Sequence, residues 1–237
     1  MTIREIIQST ILIAIIAFIA AFALSHINDV TRPAIQEQEK EKQENALSVV
    51  FPGYQIQDKK NVSLDGKDFV YWTAKKKERG TTLNAFAFIA SQPGYSGDIR
   101  VMVGVNEKDE ILGLSILSQT ETPGLGARCT EVASTETFFG YIFGDLFGSK
   151  KIKTEKEPSR PWFQEQFTGL SVDQQIEIVK KGDWQPSMRE QLREKNAITT
   201  ITGATITTKT VRDAITKGIG KLHQARNKSS DGRTRAQ

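Results

Sequence analysis

Near the C-terminal end, Thr202-Gly203-Ala204-Thr205 sets two hydroxyls on either side of the smallest pair of residues available. Thr207, Thr208 and Thr210 follow at once. Small residues beside a hydroxyl leave room for a bulky group on its oxygen. The segment behind them is patterned as a helix, and a helix N-terminus presents N–H groups without intrahelical partners at the positive end of its dipole, a setting that favours phosphate. The arrangement therefore suits a phosphorylated ligand. The plainer reading is that one of the threonines caps the helix, a common use of the residue.

The second stretch with chemical potential is "QTETPGLGARC" (119–129). Gly124 and Gly126 open it as a dinucleotide-binding fingerprint opens, but the third glycine position holds Cys129 and no βαβ setting surrounds it, so that reading fails. A phosphate loop of the G-x-x-x-x-G-K-[ST] type is also absent from the sequence. What remains is a tight loop in which Pro123 fixes one φ and two glycines let the backbone approach something closely. As ordinary architecture it would be a strand-to-helix connection.

Other chemistries are excluded by scarcity. Cys129 is the single cysteine, so the chain has no internal disulfide, CxxC redox pair or all-cysteine metal site. His26 lies beside an apolar run and His223 in a basic tail, which leaves neither a histidine-rich metal site nor a histidine-centred triad. Reactivity must come from a borrowed cofactor, or there is none. Cys129 itself reads as a small buried residue and not a redox participant.

The elements that must position these residues can be read in turn. Residues 6–27, "IIQSTILIAIIAFIAAFALSHI", carry no charge and match the ~20 residues a helix needs to span a bilayer. Ala21-Phe22-Ala23 resembles a signal-peptide cleavage site, yet the segment before the apolar run is barely basic, and a retained anchor is the preferred reading. In either case residues 1–5 stay inside and the bulk is exported. Residues 28–50 read as a polar helical connector with Pro33 near its start, and "FPGY" (51–54) as the turn that ends it.

Strands are predicted over 69–76, 83–91, 99–106 and 111–119, with Ile99, Val101, Val103 and Val105 on one face and "NEKDE" (106–110) as a hairpin turn. Helical or connecting pieces are predicted over 134–147, 161–170 and 186–196. An amphipathic helix is predicted over 208–226, with Val211, Ala214, Ile215, Ile219 and Leu222 along one side. Strands in a run followed by helices make an α+β domain, with an antiparallel sheet and flanking helices over 51–226. From Lys209 onward eight Lys/Arg face only Asp213 and Asp231, and residues 227–237 read as a basic, disordered tail. No stripe of basic and aromatic residues suggests nucleic acid, whereas anionic lipid or an acidic partner would suit the tail.

Taken together, "GYSGDIRVMVGVN" (94–106), "ETPGLGAR" (121–128) and "TGATITT" (202–208), behind one N-terminal anchor, resemble the FMN-binding G subunit of the Rnf electron-transport complex. That family is related to the C subunit of the sodium-pumping NADH:quinone oxidoreductase. The resemblance covers nearly the whole chain. It implies FMN attached covalently, as a phosphoester, to the threonine ending the S/T-G-A-T motif, which here is Thr205. A dedicated flavin transferase, with FAD as donor, would carry out the attachment, and an unactivated threonine needs such help.

The resemblance further implies that Thr202, Gly203 and Ala204 surround the attachment point and that Thr122, Gly124 and Leu125 contact the flavin. Where the family's attachment signal has an acidic residue, three positions before its first S/T, this chain has Thr199. The implied function is that of an electron carrier on the extracytoplasmic side of the cytoplasmic membrane. It would work among other membrane subunits of a redox-driven Na⁺ or H⁺ pump between ferredoxin and NAD, binding no nicotinamide itself. Two other roles fit the residues: an exported protein holding a phosphorylated ligand noncovalently, and a purely structural anchor subunit.

Overall fold

The computed structural model describes residues 3–64, 66–78, 80–132, 161–180 and 182–234; the helix expected over 134–147 lies outside them. Helix α1 (Ile3–Val50) joins the expected anchor and connector without a break, and Pro33 lies inside it instead of near its start. Its apolar half is long and apolar enough to cross a membrane, by length and composition, and its large side chains from Ile6 to Ile27 are exposed. Residues up to Asn45 form a unit of their own, and Ala46–Gln237 form the second.

The second unit is built on a five-stranded antiparallel meander: β1 (Gln55–Leu64), β2 (Lys67–Glu78), β3 (Thr81–Pro93), β4 (Asp98–Asn106) and β5 (Ile111–Ser118), paired in that order. Four strands coincide with predicted ones, and β1 is an addition. Its sequence, QIQDKKNVSL, is mostly exposed and polar, as suits an edge strand, and has no apolar alternation to signal it. The Leu64↔Lys67 pair closes its hairpin with Gly66 at φ +74°, a conformation glycine adopts freely.

Period-two alternation sends side chains to two faces of the sheet. On one face Tyr71, Phe88, Ile99, Val101, Val103 and Val105 are buried against helix α4 (Thr205–Thr234). That helix contributes Val211, Ala214, Ile215, Ile219 and Leu222, the stripe expected from the sequence, each large aliphatic being worth about 1.5–3 kcal/mol when fully buried. The helix starts three residues earlier than predicted and continues beyond 226, through much of the segment expected to be a disordered tail, to Thr234.

On the other face Trp72, Ala74, Ala85, Ala87 and Met102 pack with Ala46, Leu47, Val50 and Phe51. Gly104 and Gly113, paired across β4 and β5, let the backbone of Val49 and Val50 lie directly on the sheet; a Cβ on either would strike a carbonyl oxygen there.

The remaining chain forms short pieces. A 3₁₀ turn (Gly126–Thr130) follows β5. The expected 161–170 helix is only one turn, α2 (Trp162–Glu165), with Phe163 and Phe167 meeting edge to face at 5.4 Å. In place of one 186–196 helix there is a 3₁₀ turn (Pro186–Met188) and then α3 (Arg189–Glu194). Strands β6 (Glu177–Val179) and β7 (Ala197–Thr199) form a separate parallel pair that the sequence did not announce. Strand β7 leads straight into the threonine run.

Candidate functional site

Three connections converge at one end of the sheet: the β3–β4 turn around Tyr95, the loop after β5, and the entry to α4. They enclose a cleft of about 400 Å³ lined by Tyr95, Glu121, Thr122, Leu125, Gly126 and residues 203–207. Of the residues singled out from the sequence, Thr122, Leu125, Gly203, Ala204 and Thr205 meet on this lining. Gly124 lies just outside it at φ +75°, and Thr202 also stands off the wall.

The five threonines of the run separate cleanly by their contacts. Thr208 accepts from the N–H of Ile201 at 3.1 Å and donates to the carbonyl of Ala204 at 3.2 Å, tying the first turn of α4 to its lead-in. Thr210 donates to the carbonyl of Pro93 at 3.0 Å. Thr207 donates to the Glu121 carboxylate. Thr202 is held to Asp183 through its N–H at 3.0 Å and is not on the cleft lining.

Thr205, the first residue of α4, is half-buried on the cleft wall, and its hydroxyl has no hydrogen-bond partner among the described residues. Thr208 N–H→Ala204 is the first bond of the helix, so the N–H groups of the turn before it have no intrahelical acceptor. Gly203 stands at φ +78°, and a Cβ there would press to 2.9 Å from Leu125. The small residue is needed for close approach between the two motifs.

Neighbouring charges brace this geometry. Asp183 accepts from Thr202 and pairs with Arg128 at 2.9 Å, joining the α4 entry to the 3₁₀ turn. Burial alone would raise the Asp183 carboxyl, but the hydrogen bonds from Thr202 and Arg128 outweigh it and hold the group below its ordinary range. Arg128 is raised chiefly by its hydrogen bond to Glu131, against the pull of burial, with Asp183 adding to the effect. Burial, with the nearby Glu121 charge, pushes the Cys129 thiol up to about 12, leaving it inert, as a small core residue would be. Thr199 is fully buried, its N–H donating to Gln166 Oε1 at 2.8 Å.

Residues 94–220, more than half of the chain and the whole of this cleft, match the FMN-binding domain family. The chain belongs to that family. Residues 1–50 match the RnfG N-terminal region, which makes this FMN-binding domain one of the RnfG type. It is 24% identical to the G subunit of the Na⁺-translocating ferredoxin:NAD⁺ oxidoreductase complex of Acetobacterium woodii, over 88% of this chain and 87% of that one. It is 28% identical to the G subunit of the proton-translocating ferredoxin:NAD⁺ oxidoreductase complex of Clostridium ljungdahlii, over 87% and 84%. The crystal structure of the C subunit of the Na⁺-translocating NADH-quinone reductase from Parabacteroides distasonis superposes with a TM-score of 0.46 at 16% identity, covering 77% of this chain and 91% of that one.

The residues present fit such a cofactor. The cleft falls within the usual size of small-molecule sites. Tyr95, Leu125 and Ile206 give it apolar walls, and at the start of α4 a hydroxyl stands beside the N–H groups that a phosphate would seek. Tyr95, Glu121 and Ile206 were not singled out from the sequence, and Gly126 and Thr207 were noted only as a loop glycine and a member of the threonine run. Only their neighbourhood to the two motifs pointed toward them.

Proposed function

We propose that this chain is the flavin-carrying electron-transfer subunit of a membrane redox complex, with FMN held as a phosphoester on Thr205. The observation that carries the residue choice is the sorting of the threonines: the hydroxyls of Thr207, Thr208 and Thr210 are spent on the fold, Thr202 is off the cleft lining, and Thr205 faces the cleft with its hydroxyl unspent. Attachment by a flavin transferase using FAD forms the Thr205 Oγ1–P bond and breaks the pyrophosphate. AMP leaves, and the threonine proton passes to solvent or the leaving phosphate. Glu121, the carboxylate on the cleft lining, is already taken up by three donors and does not reach Thr205 as a base would, which supports an external enzyme.

Bound FMN supplies one- or two-electron chemistry, and the protein supplies position and electrostatics. Gly203 and Ala204 keep the space beside the threonine oxygen clear, while Thr122 and Leu125 border the same cleft from the loop after β5. Tethering keeps the cofactor at high effective concentration on the extracytoplasmic side, where a dissociated flavin would be lost. The long apolar half of α1 anchors the chain as a single pass in the cytoplasmic membrane, in contact with lipid. The other membrane subunits of the complex are its partners, and ferredoxin and NAD are the terminal couples. Of the two relatives named above, one is named for Na⁺ and the other for protons, and either coupling suits this reading.

The test is co-expression of the full chain with a flavin transferase. Fluorescence under ultraviolet light that survives a denaturing gel, with a mass gain of one FMN less one water, is the expected result. A dark band at the unmodified mass overturns the covalent reading.

A further inference from the structure

Glu121 is a charged side chain only 5% exposed, on the wall of the cleft. Its Oε1 accepts the N–H groups of Tyr95 at 2.8 Å and Ser96 at 3.1 Å, and its Oε2 accepts the hydroxyl of Thr207. Its own N–H donates to Gln119 Oε1 at 2.7 Å. One carboxylate thus joins the β3–β4 turn, the loop after β5 and the first turn of α4. Gly94 and Gly126 close upon it, and a Cβ at either position would collide with one of its oxygens.

No Lys or Arg among the described residues forms an ion pair with Glu121. Burying a carboxylate without a counter-charge is costly, and a neutral side chain would hold three loops together at less expense. Ligand clefts carry a few placed polar groups on a largely apolar lining, and Glu121 is such a group here. Fixed negative charge at such a wall opposes any further negative charge placed in the cleft, and the low local dielectric strengthens the effect.

We infer that Glu121 is a positioning residue that also lowers the reduction potential of the flavin, its charge being metered by the Thr207 hydroxyl. This rests on the flavin reading above. Reduction of a flavin held in this cleft would leave negative charge on it wherever proton uptake did not match the electrons added, and the Glu121 carboxylate would oppose that charge and favour the oxidised form. The Thr207 hydrogen bond draws density from Oε2 and softens that effect. The two residues therefore act on the potential in opposite directions, which a purely architectural contact would not do.

The experiment compares the full chain, co-expressed with a flavin transferase, as wild type, Glu121→Gln and Thr207→Val. Covalent flavin is counted by intact mass, and midpoint potentials are measured by spectroelectrochemical titration with dithionite as the electron donor. Glu121→Gln is expected to keep its flavin and to raise the reduction equilibrium constant on the order of tenfold, about 30 mV positive for a two-electron couple. Thr207→Val is expected to shift the potential the other way.

Equal potentials in all three proteins, or both variants moving in one direction, overturn the inference. Should Glu121→Gln fail to fold, Thr207→Val carries the test alone, and an unmoved or positive shift sinks it. Wild type without any flavin sinks the flavin reading together with this inference, whereas flavinylated wild type with unmoved variants sinks this inference only.

Discussion

The hydroxyl of Thr207 donates a hydrogen bond to the carboxylate of Glu121, 86 residues away in the chain, and so closes the first turn of α4 onto the loop after β5. Two residues earlier, Thr205 stands on the same wall with its hydroxyl unengaged among the described residues. One threonine builds the cleft, and the other is the one to which the proposed function assigns the flavin linkage.

Thr205→Ala should therefore abolish covalent flavin and leave stability within about 0.5 kcal/mol of wild type, since a half-exposed hydroxyl without a partner is removed. Thr205→Ser should retain the flavin. In-gel fluorescence and urea melts check both. A Thr205→Ala protein that stays fluorescent after denaturation would move the attachment to another residue.

Asp183 makes part of the site's stability depend on pH. Its carboxyl lies below its ordinary range in the folded chain, so the stabilisation is fully present above the unfolded carboxylate value and is lost as pH falls through the folded one. The side chain is about one-third exposed, which limits the effect to about 1 kcal/mol or less. Urea midpoints of wild type should fall on acidification below about pH 4, and Asp183→Asn should flatten that part of the profile. Parallel profiles would show that the Arg128–Asp183–Thr202 link does not contribute.

Cys129 should resist thiol reagents in the native protein at pH 8, because its thiol is fully buried and pushed up to about 12. Labelling should appear only with unfolding. Rapid modification of the native protein would contradict the packing around the 3₁₀ turn.

At Gly104, valine would strike the carbonyl oxygen of Val50. Gly104→Val should cost about 1–3 kcal/mol and expose the chain between Ala46 and Phe51 to proteolysis. A variant as stable and as protease-resistant as wild type would contradict the docking of that segment on the sheet.

How much of this could be read in the sequence depends on the residue. The alternation of Ile99, Val101, Val103 and Val105 and the stripe from Val211 to Leu222 are strong local periodic signals, and both lie on one buried face of the sheet. Strand β1 left no such signal because its partner, not its own burial, holds it. Strands β6 and β7 are three residues each, too short for a period to register. At the site, both motifs were visible as motifs. The roles of Glu121 and Thr207 were not, because a loop glutamate gives no local sign that it will be buried by turns from elsewhere in the chain. Nor does the spacing of Thr202 and Gly124 reveal that they sit off the cleft lining.

The measurement that tests the central claim most directly is peptide mapping of the flavinylated full chain. Trypsin should release residues 196–209 as one peptide carrying all the candidate threonines but Thr210. Fragmentation of that peptide is predicted to place the entire FMN mass on Thr205. Flavin found on Thr202, which is off the cleft lining, or on Thr207, whose hydroxyl holds Glu121, would contradict the account.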